Sequence, residues 1–503
     1  MHDANLYRLI ASRFPADPSC SLIETTDGLY SWADMEQTSA RFAAILASLG
    51  CVKGDRVAVQ VDKSPAALFL YLACLRVGLV FLPLNTAYRD DEVDYLIGDA
   101  EPAVVVASPA AAIKEATALR HGCRHFFTLA ADGSGSFPSL SPVRPFTSCP
   151  CAPDDTAALL YTSGTTGRPK GAILTHRNLA ANGEALRTSW AFTADDVLLH
   201  ALPIFHAHGL FVACHCVLLS GACMIWLPAF NRIEVITRLP RATVFMGVPT
   251  YYTRLLAGAD LTAATCAQMR LFISGSAPLL PETFTAFQRR TGHAILERYG
   301  MTETGMNTSN PYRGERRSGS VGRPLPGVSV RVAGTEGTLV PPGEVGVLHV
   351  RGNNVFAGYW RHKTEDLTPD GWFITGDLAR IETDGTVTLV GRVKDLIISG
   401  GCNVYPREVE QVINRLDGVI ESAVIGLPHP DFGEAVVAVV QTGWNHLLPE
   451  TVIHHARTCL ANYKIPKAVL FVEELPRNAM GKVQKNLLRQ TYAAAFTPTN
   501  LHG

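Results

Sequence analysis

At 503 residues the chain is several times the length of a typical domain, so two or more domains are expected. Hydrophobic residues make up 47% and charged residues 18%, a balance that excludes a disordered or fibrous chain. Lys+Arg number 44 against 45 Asp+Glu, a formal net charge of −1, so no global field draws in nucleic acid or an anionic membrane, and any anion site must be built locally.

The first residues, MHDANLYRLIASRF, lack the apolar core of a secretory signal. Arg56 to Val61 alternates like a strand, Ala66 to Val77 has a helical pattern, and Val80 to Leu84 reads as another strand. The longest apolar run, Ala66 to Leu84, is broken by Arg76, Gly78 and Pro83, which predicts buried helix and strand rather than a membrane span. Ala103 to Ala107 reads as a buried parallel strand, and such segments recur to about residue 390 without repeats or low-complexity tracts. Cys149 and Cys151, like Cys214 and Cys216, stand two apart, and no CxxC pair suggests a zinc ribbon. A reducing, cytoplasmic setting is expected, with the cysteines as core filler.

Composition changes near Gly391-Arg392-Val393-Lys394-Asp395. Pro406 then opens a helix whose apolar positions Val409, Val412, Ile413 and Leu416 share one face, with Gly418 past its end. Strands are expected over Ser422 to Gly426, Glu434 to Gln441 and Ala468 to Val472, with a helix from Pro449 to Leu460. The chain therefore divides into a large N-terminal α/β body, residues 1–393, and a small α+β domain, residues 394–503.

The densest chemistry lies in Tyr161-Thr162-Ser163-Gly164-Thr165-Thr166-Gly167-Arg168-Pro169-Lys170-Gly171, directly after an apolar stretch. Glycines let backbone N–H groups turn toward an anion, while the hydroxyls and Lys170 add donors and charge, a combination suited to nucleotide phosphates. The run is not a Walker A loop, because two residues separate Gly167 from Lys170 and Gly171 stands where Ser/Thr is required, which argues against a P-loop kinase.

This loop resembles the phosphate-loop signature of the adenylate-forming superfamily of acyl-CoA synthetases, luciferases and peptide-synthetase adenylation domains. Further segments match the family in order: Tyr299-Gly300-Met301-Thr302-Glu303-Thr304, Thr375-Gly376-Asp377, Gly391 to Asp395, and Pro476-Arg477-Asn478-Ala479-Met480-Gly481-Lys482. The resemblance implies an enzyme that uses ATP, Mg²⁺ and coenzyme A to turn a carboxylic acid into its CoA thioester through an acyl-adenylate. It places ATP and AMP against Thr162, Ser163, Gly164, Thr165, Thr166, Gly167, Lys170, Ser276, Ala277, Pro278, Tyr299, Gly300, Met301, Asp377 and Arg392. It makes Thr302 a partner of the α-phosphate and Glu303 with Thr166 the holders of Mg²⁺. Tyr299 would stack on adenine, Asp377 would hold the ribose with help from Arg392, and Lys482 would bridge the carboxylate and the α-phosphate. Lys394 matches the family's hinge, so the small domain is expected to be mobile and to bring Ser399, Gly400 and Gly401 toward the acyl group for the pantetheine step. A lysine acetyltransferase acting on Lys482 is a candidate partner; no nucleic acid or membrane partner is expected.

Three segments resemble the family's acyl-pocket walls: Ala201 to Gly209, Gly247 to Arg254, and Ser274 to Pro278. His206 matches a pocket-lining position, although with His208 it also has the look of half a metal site. Arg254 and Arg298 stand out, because an arginine in an apolar pocket is costly without a partner. A second substrate carboxylate supplies one, with Ser276 as a further donor; structural salt bridges are the alternative. The Glu297 to Thr304 pattern resembles malonyl-CoA synthetases, so malonate is the first expectation. Methylmalonate is the second, with Ala207 and Met306 setting tolerance for the methyl group. Other short, medium-chain or aryl acids, and loading of a carrier protein in place of CoA, are the rival readings. A non-catalytic nucleotide-binding protein would be expected to have lost Glu303 or Lys482, and both are present.

Overall fold

A computed structural model describes residues 3–142, 146–162, 168–334, 337–443, 447–478, 481–493 and 495–496. The first helix of the core shows why the sequence folds as it does. Ser64 caps Pro65–Val77 by accepting from the Ala67 N–H, Pro65 occupies the first turn, and Gly78 ends the helix at φ +76°. This helix is apolar all round and buried all round, so the long apolar run is interior structure, as its composition predicts.

Two large sheets form the N-terminal body. In the first, five parallel strands, His125–Thr128, Val104–Ala107, Arg56–Gln60, Val80–Pro83 and Thr156–Thr162, are followed by the antiparallel Lys170–Thr175. The second has nine strands, with a parallel centre of Leu296–Met301, Leu271–Ser274, Val244–Gly247, Val197–His200, Cys223–Trp226 and Ser21–Glu24. Parallel strands buried on both faces carry the continuous Val/Ile/Leu runs seen in the sequence. A four-stranded antiparallel sheet, Val328–Ala333, Gly346–Gly352, Phe373–Ile381 and Val387–Arg392, completes this part.

Beyond Val387–Arg392 a single 3₁₀ turn, Val393–Asp395, leads into a separate five-stranded sheet. Val409, Ile413 and Val452 from two helices cover one face of that sheet, and Leu475 and Leu488 cover the other. The small α+β domain expected from the sequence is therefore present. Its helix Pro406–Ile413 is shorter than the apolar spacing suggests: Asn414 caps it, and Leu416 packs from the turn that follows. The strand Val419–His429 is longer than Ser422 to Gly426, because register pairing with Gly433–Thr442 continues past the apolar core. Among the described residues no helix is long and apolar enough to cross a membrane.

Candidate active site

Ligand sites in open parallel sheets form beyond the carboxyl ends of the strands, and several of the singled-out residues gather there. Thr162 ends its strand at the entrance to Ser163–Gly167. Gly275 and Ser276 follow Leu271–Ser274, the helix Pro249–Leu256 follows Val244–Gly247, and the segment with His206 follows Val197–His200. Ser163, Gly164, Thr165, Thr166 and Gly167 themselves lie outside the described residues, as do Ala479 and Met480.

Leu296–Met301 reverses through Thr302–Thr304 into Gly305–Ser309. The reversal is tight: a Cβ on Gly300 would meet the Gly305 carbonyl oxygen at 2.1 Å, so only glycine fits there. It is fastened from behind, with Asn354 Nδ2 donating to the Thr304 carbonyl at 2.7 Å. Asn182 donates to the Met306 carbonyl at 2.8 Å and accepts from the Met306 N–H at 3.0 Å. Thr302 and Glu303 thus stand on a rigid turn. The half-exposed Thr302 and the buried Ala207 line a small cavity of about 20 Å³, room for a single water.

Three groups of residues converge around this turn. On the first side, the Glu303 carboxylate is 5% exposed and accepts from the Thr162 hydroxyl at 3.2 Å and the Tyr359 hydroxyl at 3.0 Å. Lys170 places its ammonium 5.4 Å from the Tyr359 ring centre. The Tyr359 segment is annealed to the strand leaving the phosphate loop, through Ile173 N–H to Gly358 (2.9 Å) and Trp360 N–H to Gly171 (2.7 Å). A buried carboxylate among hydroxyls is the oxygen donor set a hard divalent cation takes.

On the second side, Asp377 faces Arg392 across adjacent strands and bonds its Nε at 2.8 Å, while accepting from the Tyr299 hydroxyl at 2.6 Å. Lys482 reaches this cluster from the small domain. Its ammonium lies in the field of Arg392, Asp377, Lys394 and Asp395, and burial, with help from Arg392, pulls its pKa down to about 8. The loop rests on the body at Thr250: Gly481 has φ +72°, and a Cβ there would meet the Thr250 hydroxyl at 2.9 Å.

On the third side lies Arg298. It is 4% exposed, and among the described residues its Nε and Nη2 have no hydrogen-bond partner. Strand alternation explains why the neighbouring Glu297 does not neutralise it. Glu297 points to the opposite face, accepts from the Gly319 N–H at 3.0 Å, and is pushed by burial to about 7. Burial pulls Arg298 down to about 9, still above neutral, so the guanidinium remains a cation. It lies flat over Gly275, where a Cβ would be 2.3 Å from Cζ. His206 is held near 4 by burial and by Arg298, and His208 is held well below its usual value for the same two reasons. Both rings are therefore neutral beside the guanidinium. Ser276, strained at φ +71°, places its hydroxyl 3.2 Å from His208 Nδ1.

The structure thus brings together Thr162, Glu303 and Lys170; Tyr299, Asp377, Arg392 and Lys482; and His206, Ser276 and Arg298. It does not bring Arg254 to Arg298. Tyr252 is fully buried, and Arg254, two residues on, falls on the opposite, exposed side of Pro249–Leu256. Ala277 is half-buried and Pro278 exposed beside Ser276. Ser399, Gly400 and Gly401 form a hairpin tip with both glycines at positive φ, and Gly400 bonds the Phe432 carbonyl of its own domain. Lys394 is exposed on the 3₁₀ turn between the sheets. Among the described residues no group of three or more His, Cys, Asp or Glu gathers as a metal site, and His206 Nδ1 instead accepts from the His208 N–H. Tyr359, Asn182 and Asn354 were not singled out by sequence reasoning. No motif marks them, and each acts on a residue far along the chain.

Comparisons with known proteins agree with this geometry. The chain is 36% identical to a feruloyl-CoA synthase from Amycolatopsis sp., over 92% of this chain and 94% of that one. It is 35% identical to the mitochondrial malonate–CoA ligase ACSF3 of Homo sapiens, over 92% and 88%. The ATP-bound crystal structure of MatB from Rhodopseudomonas palustris superimposes with a TM-score of 0.95 at 50% identity, over 98% of this chain and all of that one. Residues 10–360 match the AMP-binding enzyme family and residues 408–482 its C-terminal domain. Matched over most of its length by these two family models, the chain belongs to the AMP-binding enzyme family.

Proposed function

We propose that this protein is an acid–thiol ligase that converts malonate to its CoA thioester through malonyl-adenylate. One observation carries the substrate assignment: a buried guanidinium, Arg298, with two unpaired nitrogens on the acyl side of the site. A dicarboxylate supplies the missing counter-charge through a charge-assisted contact, whereas a fatty or aryl acid leaves the arginine unpaired. The likeness to malonate–CoA ligase ACSF3 and to MatB supports this reading.

In the first half-reaction a malonate oxygen attacks the α-phosphorus of ATP, an acyl–phosphate bond forms, and the bond to pyrophosphate breaks. Lys482, close to Asp377 and Arg392, offsets the charge shared by the incoming carboxylate and the α-phosphate, and Thr302 binds that phosphate. Asp377 holds the ribose hydroxyls. Glu303 with Thr166 would hold Mg²⁺, which neutralises the triphosphate and the departing pyrophosphate. In the second half-reaction the CoA thiol displaces AMP. We assign the hinge to Lys394, dividing the chain into residues 1–393 and 394–503; rotation there withdraws Lys482 and brings in the exposed Gly400–Gly401 turn. Ala207 and Met306 flank the acyl side and set tolerance for a methyl substituent. A lysine acetyltransferase reaches the half-buried Lys482 only once that rotation has freed it.

Tyr359→Phe is expected to raise KM for Mg·ATP by about 5–20-fold, the equivalent of about 1–2 kcal/mol for one hydrogen bond to a carboxylate, with KM for the acid unchanged. Calorimetric binding of ATP with and without Mg²⁺ checks that the loss is metal-dependent.

The test of function is pyrophosphate release with ATP, Mg²⁺ and CoA across acetate, propanoate, malonate, methylmalonate, succinate, octanoate, benzoate and ferulate. Preference for malonate is the expected result. Preference for octanoate, benzoate or ferulate keeps the ligase and removes the dicarboxylate.

A further inference from the structure

Both ends of the phosphate loop are tied to one helix that no motif marks. Asp90–Ala100 carries Tyr95 and Asp99, four residues apart and therefore neighbours on one helical face. The Asp99 carboxylate accepts from the hydroxyl of Tyr161, on the strand that enters the loop. The Tyr95 hydroxyl donates to the Pro169 carbonyl at 2.9 Å, where the chain leaves the loop for Lys170–Thr175. Arg168 adds a second contact on that leg, its guanidinium 5.3 Å from the centre of the Tyr95 ring.

Strand alternation lets the entering leg be held on both faces. Thr162 turns its hydroxyl to Glu303, so the adjacent Tyr161 points the other way and reaches Asp99. Burial and the Asp99 contact push the Tyr161 hydroxyl well above its usual value, so it stays protonated and donates. The same helix end holds a third element. Trp360 Nε1 donates to the Asp99 carbonyl at 3.0 Å, and Arg361 pairs with Glu101 at 2.6 Å. Both directly follow Tyr359, which bonds Glu303.

Ties of this kind act on the cost of binding. A loop whose ends are already held loses less freedom when a ligand orders it, so affinity rises without any contact to the ligand. We infer that Tyr95 and Asp99 are positioning residues that hold the two legs of the phosphate loop and so tighten binding of the outer phosphates of ATP. This rests on the assignment of the loop to the triphosphate and goes beyond it by naming what holds the loop in place. In that assignment the α-phosphate lies with Thr302, so AMP, which has no outer phosphates, is indifferent to the ties.

The experiment is calorimetry without acid or CoA, giving Kd for ATP and for AMP, each with and without Mg²⁺. Tyr95→Phe keeps the ring beside Arg168 and deletes only the hydrogen bond, and is expected to weaken ATP by about 3–10-fold. Tyr95→Leu removes both contacts and should weaken it by about 10–50-fold. Asp99→Ala should match Tyr95→Phe, whereas Asp99→Asn should stay within about twofold of the wild type, because its amide oxygen still accepts from Tyr161. AMP affinity should hold within about twofold in every variant. The ATP loss should persist without Mg²⁺, unlike that of Tyr359→Phe, which acts through the metal. A purely structural role would weaken ATP and AMP together, and that result, or unchanged ATP affinity in Tyr95→Leu and Asp99→Ala, overturns the inference. If the wild type does not bind ATP, the ligase reading fails and this inference with it. Should the Leu or Ala variant not fold, Tyr95→Phe and Tyr161→Phe decide: an ATP loss no larger than the AMP loss overturns the proposal.

Discussion

Arg298→Leu is expected to lower kcat/KM for malonate by about 10²–10³-fold while making the unliganded protein more stable. The activity loss follows from deleting one partner of a desolvated ionic contact, which costs about 2–5 kcal/mol. The stability gain follows from the free enzyme: a guanidinium that is 4% exposed, with two unpaired nitrogens, is a desolvated charge whose partner arrives only with substrate. A shorter, apolar side chain removes that penalty; replacing buried ion pairs by apolar residues gains about 1–4 kcal/mol. Two measurements check both halves. The thermal midpoint without ligand should rise, and malonate, which should raise the wild-type midpoint by mass action, should no longer do so in the variant. Propanoate turnover should hold or improve. A lower midpoint together with unchanged malonate turnover would show that Arg298 is structural.

Adenylation is expected to fall as pH rises through about 8, because Lys482 acts as its ammonium and burial lowers its pKa from the usual 10.5 to about 8. Linkage runs the other way for stability. The unfolded chain keeps this lysine protonated up to about 10.5, so between the two values the unfolded state binds more protons and stability rises with pH. Below about 8 the folded protein bears the cost of a desolvated charge, and above it that cost is relieved. Activity and stability should therefore diverge on the alkaline side, an unusual pairing that pH profiles of kcat/KM and of denaturation midpoint will detect together. Lys482→Ala should lower adenylation by about 10²–10³-fold, the effect of losing one preorganised group at developing charge. Thioester formation from supplied malonyl-adenylate should remain largely intact. Lys482→Arg, whose guanidinium stays charged, should lose the alkaline limb at about 8; retention of that limb would assign it to another group.

Much of this was legible in chain order. The helix over Pro65–Val77 and the strands Arg56–Gln60, Val104–Ala107 and Ala468–Val472 follow from local periodicity and from Ser, Pro and Gly at the ends, because caps and alternation act within a few residues. The loop leading to Lys170 also reads directly, because it gathers phosphate-binding chemistry in one short stretch, whereas the segments around Thr302, Asp377, Arg392 and Lys482 read through their resemblance to the adenylate-forming superfamily. The two arginines were indistinguishable at that level. Tertiary structure separated them: alternation turns Arg298 inward away from Glu297, and helical geometry turns Arg254 outward two residues after the buried Tyr252. Tyr359 against Glu303 and Asn182 against Met306 were equally out of reach, being contacts across 56 and 124 residues. Nothing in a linear pattern encodes which distant strands will pair, since that choice rests on the summed packing of the whole sheet. The absence of a partner is more global still. Among the described residues none supplies a hydrogen bond to Arg298 Nε or Nη2, a fact that depends on the placement of many distant elements at once.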